Sequence, residues 1–280
     1  MQRSFLTAVS LAALLAVTTA SAQTLSDAKK RGVLRLGYSE TSAPFAFKGK
    51  DGQPVGYSVE LCKRIAAAIA TAGGPAKVEW VATNPSTRLE AVAKGDVDME
   101  CGTTTITMSR REKVDFSLPI FVDAATLLAR KASASTLSEL QGKKIAVADG
   151  TTTVAALESG LAKRFVKAEI VKTKTVIDGF NLLKEGKVDA LASDRTKLVG
   201  TFLVGGGAEG LIVFADDLSY EPYGLAIRKG DAEFRLVVDR VLASLYRSGQ
   251  IEEIYGEWLA PLGKPGLPLV SMYLLNSYPE

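Results

Sequence analysis

The residues able to do chemistry cluster between positions 100 and 117, in the stretch ECGTTTITMSRREKVDFS. Thr103, Thr104, Thr105 and Thr107 place hydroxyls in a loop after a strand expected to end at Val97-Asp98-Met99-Glu100. Ser109 and Glu112 have the S-x-x-E spacing of a capping box, which predicts a short helix beginning at Arg110 and Arg111. A strand end, free backbone N–H groups, a row of hydroxyls and an arginine together suit a carboxylate or phosphate oxygen. The same residues also fit a threonine-rich turn with a solvated arginine pair, so the rest of the chain must decide.

Composition narrows the chemistry. There is no histidine, which excludes Ser-His-Asp catalysis and histidine-ligated zinc. Gln2 and Arg3 precede an apolar run over 5–17, and Ala20-Ser21-Ala22 has the small-x-small pattern of a signal-peptidase site. Residues 1–22 are therefore expected to be a leader cleaved after Ala22, giving an exported, periplasmic chain. A membrane anchor is the competing reading, but the run is short beside the roughly 20 apolar residues that span a bilayer. Losing Arg3 takes the net charge from +3 to +2, too balanced to argue for nucleic acid. Cys62 and Cys101, an even count in an exported chain, are expected to pair, the alternative being two buried thiols.

Behind these residues stands a repeated α/β frame. Helical periodicity at Val59, Leu61, Ile65, Ala68 and Ile69 stops at Gly73-Gly74-Pro75. A strand is expected over 78–81, and Asn84-Pro85 predicts a helix start carrying Arg88. Lys94-Gly95-Asp96-Val97-Asp98 is matched by Glu185-Gly186-Lys187-Val188-Asp189. Gly32-Val33-Leu34-Arg35-Leu36 is echoed by Gly142-Lys143-Lys144-Ile145-Ala146-Val147. In each case a left-handed glycine ends a helix and the chain enters a strand at once. Two such matches in the same order predict two similar α/β lobes with mixed, mostly parallel sheets flanked by helices, and a ligand outside the carboxyl ends of the strands.

In the second half, Ala148-Asp149-Gly150-Thr151-Thr152-Thr153 leads from strand into helix, a second hydroxyl-bearing helix N-terminus. Another strand ends at Ala192-Ser193-Asp194, where Asp194 suits an N-cap and a ligand role alike. A strand over 220–228 and helices over 232–247 and 250–259 return the chain to the first lobe. Trp258 is expected in the core, and the tail 261–280 shows no clear period beyond 267–275 and has no assigned element.

Gly56-Tyr57-Ser58-Val59-Glu60-Leu61, Arg88-Leu89, Gly102-Thr103-Thr104-Thr105 with Arg110, Asp115-Phe116-Ser117, Gly150-Thr151-Thr152, Asp194 and Tyr223-Gly224-Leu225-Ala226-Ile227-Arg228-Lys229 resemble the extracytoplasmic solute-binding proteins of polar amino-acid ABC transporters, family 3. Asp98-Met99-Glu100-Cys101-Gly102 looks most like the glutamate/aspartate-binding branch. The resemblance implies a two-lobed periplasmic binding protein of type II. Lobe one is expected over 23–122 and 223–280, lobe two over 126–218, with hinge strands near 122–125 and 218–223. It also implies that Arg110 with Thr103, Thr105 and Thr152 holds a ligand α-carboxylate, that Asp194 takes the α-ammonium, and that Thr151, Ser39 and Arg88 line the site.

Acidic amino-acid binders of this kind place an arginine where this chain has Ser39 and a histidine near Val176. The aromatic shelf of basic amino-acid binders is Ser42 here. Glutamate or aspartate is therefore expected first, with glutamine or asparagine as the alternative; Arg88 either faces that side chain or is paired on the lobe surface. A permease in the inner membrane is the expected partner, the chain a monomer, with no cofactor or metal. A dehydratase-like enzyme on the same fold is the competing class, and no convergent acid–base pair in the sequence favours it. A sensor subunit that reports its ligand to a receptor would use the same closure.

Overall fold

The computed structural model describes residues 23–204, 206 and 210–279, so the expected leader lies outside the described residues. Two five-stranded sheets organise the chain into two lobes. Across the first run Lys77–Thr83, Val33–Ser39, Met99–Thr105, Glu221–Arg228 and Val114–Asp123. Across the second run Glu169–Thr173, Lys144–Ala148, Ala190–Asp194, Ala125–Arg130 and Leu211–Val213. In each sheet the first three strands are parallel, and the fourth runs antiparallel to both neighbours. That reversed strand is the one the chain delivers from the other lobe. Helix–strand alternation within a lobe imposes parallel pairing, and the crossings break it.

The repeat seen in the sequence has a backbone basis. Gly32, Gly95, Gly142 and Gly186 have φ of +73°, +76°, +70° and +71°, the left-handed region that a side chain would strain. Each turns the chain out of a helix or turn and towards the next strand.

The largest core of the first lobe gathers on the helix Tyr57–Thr71, and a smaller one joins Val92, Val97, Val114, Phe116 and Ala226. The helix Tyr57–Thr71 buries Val59, Leu61, Cys62, Ile65, Ala66 and Ile69, a stripe at three- and four-residue spacing. Each large aliphatic side chain so buried stabilises by about 1.5–3 kcal/mol. Phe45, Tyr57, Phe121 and Tyr223 meet edge to face, with centroids as close as 4.8 Å. The tail with no assigned element forms a helix, Leu267–Leu275, which puts Leu269, Met272 and Tyr273 into the larger core. Tyr57 Oη donates to Ile120 O at 2.8 Å and lies 2.7 Å from Tyr273 Oη, so the tail satisfies a buried polar group as well as apolar ones. Trp258 packs partly buried against the same core.

Two local expectations are corrected. The strand runs on from Met99 through Thr105, so the threonines are its buried end rather than a loop. That leaves Thr107, not Ser109, at the N-cap: its Oγ1 accepts from Arg110 N at 3.1 Å, and the helix is Met108–Arg111 with Glu112 at its C-cap. Asn84 does not start a helix. Its carboxamide accepts from Ser86 N and Thr87 N in a turn, and the helix is Arg88–Lys94.

Cys62 and Cys101 form a disulfide from the helix Tyr57–Thr71 to the strand Met99–Thr105, with Cα atoms 6.1 Å apart and a sequence separation of 39. Closing that loop should stabilise the fold by about 4 kcal/mol in the chain-entropy description. We expect no free thiol when denatured, unreduced protein is titrated with Ellman's reagent. Reduction should lower the urea midpoint without abolishing the native far-UV spectrum.

Candidate functional site

The ends of the central strands of the two lobes face one another. Thr105 Oγ1 from the first lobe and Thr152 Oγ1 from the second lie 3.3 Å apart, and both donate to Glu221 Oε2, at 2.6 and 2.7 Å. Ser219 Oγ donates to Glu221 Oε1 at 2.6 Å. A hydroxyl has one proton to give. With those of Thr105 and Thr152 committed to Glu221, they can offer an incoming carboxylate only backbone N–H groups. Thr151, the N-cap of the helix Thr152–Lys163, turns its own hydroxyl back to Ala148 O at 2.7 Å and makes no side-chain cap. The first N–H groups of that helix therefore have no intrahelical or cap acceptor, and with the helix dipole they suit an anion.

Arg110 stands beside this node. Its Nη1 donates to Thr105 O at 2.9 Å and its Nη2 crosses to Gly150 O at 3.2 Å, leaving further donors of the fork unassigned. Burial, with the nearby Arg88 charge, lowers its pKa to about 10, while Glu221, Asp194 and Glu100 pull the other way. It stays charged at neutral pH and is poorly solvated, so a carboxylate is a favourable partner.

Arg88 is buried within the first lobe, not paired on its surface. Nη1 donates to Thr103 O at 3.1 Å, and among the described residues Nε has no hydrogen-bond partner. Ser39 closes the strand Val33–Ser39 and accepts from Ser42 Oγ at 2.8 Å, so these two serines form a small polar ledge.

The second lobe contributes Asp194, 3% exposed at its strand end. Asp194 does not cap the following helix. Thr196 N is taken by Asp123 Oδ2 at 3.2 Å, from the strand that leaves the first lobe. Asp194 instead accepts from Thr153 Oγ1 at 3.3 Å and from Tyr223 Oη, and pairs with Lys197 Nζ at 2.7 Å. Burial disfavours its charge, but Lys197 and these hydrogen bonds outweigh that and hold its pKa below the ordinary carboxylate value.

The structure thus brings Arg88, Thr103, Thr105, Arg110, Thr152 and Asp194 to facing ends of the lobes. Thr151 directs its hydroxyl away, and Ser39 is engaged with Ser42. Sequence reasoning missed Glu221, Tyr223, Asp123 and Lys197. Only Lys197 had a local signal, an i,i+3 spacing from Asp194 at a helix start; the others are brought in from distant strands.

Residues 34–261 match the bacterial extracellular solute-binding proteins, family 3, and the chain belongs to that family. An L-glutamate/L-aspartate-binding protein of Pseudomonas aeruginosa is 33% identical over 251 residues, 88% of this chain and 83% of that protein. A glutamate/glutamine/aspartate/asparagine-binding protein of Rhodobacter capsulatus is 33% identical over 234 residues, covering 81% and 67%. Among solved structures, a solute receptor for L-cysteine of Neisseria gonorrhoeae superposes with a TM-score of 0.76 at 28% identity, over 85% of this chain and 94% of that one. These are type II periplasmic binding folds, as the two mixed-sheet lobes require.

One titration follows from the site. Burial, then the Asp194 charge, pushes the Asp123 carboxyl up to about 7, against the N–H groups of Ala124 and Thr196 and the charge of Lys197. Unfolded, an aspartate titrates near about 3.9. Between about pH 4 and 7 the folded chain keeps a proton that the unfolded chain has released, so stability falls as pH rises through that window and levels above it. Asp123→Asn cannot release that proton. We expect it to gain on wild type from pH 5 to 7, by on the order of 1 kcal/mol per pH unit at most, read from urea midpoints. Parallel midpoint curves would mean that Asp123 is ionised in the fold throughout.

Proposed function

We propose that the protein binds an L-amino acid between its lobes, an acidic one first, and delivers it to an ABC-transporter permease in the inner membrane. It would do so as a periplasmic monomer, after removal of the leader at Ala22. The observation that carries this reading is the opposed pair of Arg110, on the short helix that follows a first-lobe strand, and Asp194, at the end of a second-lobe strand. A guanidinium fork with helix N–H groups suits an α-carboxylate, and a buried carboxylate suits an α-ammonium. Names of relatives agree with an amino-acid ligand, and that of the Rhodobacter capsulatus protein makes glutamine and asparagine the second choice. Arg88 favours a polar or ionised side chain, since an apolar one leaves a buried guanidinium unmatched.

Arg110→Ala and Asp194→Ala should each weaken binding by about 2–5 kcal/mol, because each leaves one charge of the ligand buried without a partner. Calorimetry against the twenty amino acids reads this. Near-wild-type affinity in both variants would place the ligand elsewhere.

The crossings near 122–125 and 218–223 serve as the hinge in this reading, and ligand draws the lobes together. Gly200 supplies a steric test. A Cβ there would lie 2.4 Å from Ala43 O, backbone against backbone across the lobes, which no side-chain rotation relieves. In an open molecule alanine suits a helix better than glycine does. Gly200→Ala should therefore keep the wild-type melting temperature yet bind ligand more weakly, and small-angle scattering should show less compaction on saturation. Equal compaction in variant and wild type would rule out this contact as part of closure.

A further inference from the structure

Lys197 lies in the first turn of the helix Arg195–Val204, its side chain 7% exposed and its ammonium 2.7 Å from Asp194 Oδ2. A lysine so buried needs a counter-charge. The carboxylate it uses is the one that the proposed reading gives to the ligand's α-ammonium. When that ammonium takes Asp194, two buried cations share one anion, and a further negative charge must come from somewhere.

The neighbouring acids are already engaged. Asp123 accepts from Ala124 N at 2.9 Å and Thr196 N at 3.2 Å and lies 3.3 Å from Tyr223 Oη, whose proton goes to Asp194, and its carboxyl leans towards the neutral form. Glu221 accepts from three hydroxyls, those of Thr105, Thr152 and Ser219. On the other side, the helix of Lys197 packs against the strand Thr41–Ser42 and the carbonyl of Ala43, next to the Ser39–Ser42 ledge, which offers hydroxyls and no charge. A lysine stem has four rotatable carbons and can move its ammonium from Asp194 to a group entering beside it.

We infer that Lys197 is the specificity-determining residue of the cleft: it yields Asp194 to the ligand's ammonium and takes the ligand's side-chain carboxylate in exchange. This rests on the amino-acid-binding reading and deepens it. The exchange makes two ion pairs where there was one, which only an acidic amino acid can do. An amide side chain leaves Lys197 displaced and unmatched, and an apolar one does so more severely.

Titration calorimetry with glutamate, aspartate, glutamine and leucine, on wild type, Lys197→Met and Lys197→Arg, tests it. Wild type should prefer glutamate or aspartate to glutamine by about tenfold or more. Lys197→Met should lose on the order of 100-fold for the acidic ligands and less than about fivefold for glutamine, erasing the preference. Lys197→Arg keeps the charge and should keep the order. Equal losses on acidic and amide ligands, or none on either, would overturn the role of Lys197. A wild type that binds glutamine as well as glutamate overturns it even if the variants fail to fold. A wild type that binds no amino acid overturns the proposed function itself, a distinct outcome.

Discussion

Asp194 is 3% exposed at the end of a central strand, where an ionised carboxyl without partners would revert to its neutral form. What surrounds it keeps it charged: Lys197 from the next helix, Thr153 from the helix Thr152–Lys163, and Tyr223 from a strand of the first lobe. Tyr223 also touches Asp123 and stacks with Phe121 in the first core. The charge at the centre of the cleft is thus tied to the packing of both lobes. Burial and the two nearby aspartates push the Tyr223 phenol well above its ordinary pKa, so it remains a donor throughout the working range.

The second tie is Glu221, which sits where the chain re-enters the first sheet and gathers hydroxyls from both lobes. Together with Asp123, which caps the helix Arg195–Val204 from the other crossing, it makes the crossings polar junctions. Leu218 N donates to Ala125 O at 2.7 Å, binding one crossing segment to the other. Polar junctions of this kind can shift by exchanging hydrogen bonds, whereas two apolar cores move only as rigid bodies.

The repeated lobes were legible because they are written locally. A helix stripe, a glycine and a strand lie within a few residues of one another, and Gly95 and Gly186 have nearly the same φ. Arg110 and the threonines were legible for the same reason. The Ser109–Glu112 spacing misled because Thr107 offers an equivalent cap, and only the length of the strand Met99–Thr105 decides between them. Glu221 could not be read, since it meets Thr105 across 116 residues. The helix Leu267–Leu275 escaped because it is apolar nearly all round, which leaves little period to detect.

Among the described residues no hydrophobic cluster draws on both lobes. Their direct contacts include Ser86 Oγ on Asp149 O at 3.3 Å, Arg110 Nη2 on Gly150 O at 3.2 Å and the Thr105–Thr152 approach at 3.3 Å. Glycines at 150 and 200 let backbone come against backbone where a side chain would hold the lobes apart. Long, partly solvated hydrogen bonds contribute only about 0.5–1.5 kcal/mol each. Closure on these three contacts alone has no large driving force; the charge-assisted bonds of Thr152 to Glu221 and of Tyr223 to Asp194 add to it, and a ligand shifts the equilibrium by its differential affinity for the closed form. In the proposed reading, a zwitterion that joins Arg110 to Asp194 would bind both lobes only when they are together, and its ionic contacts would then be the term that decides the state.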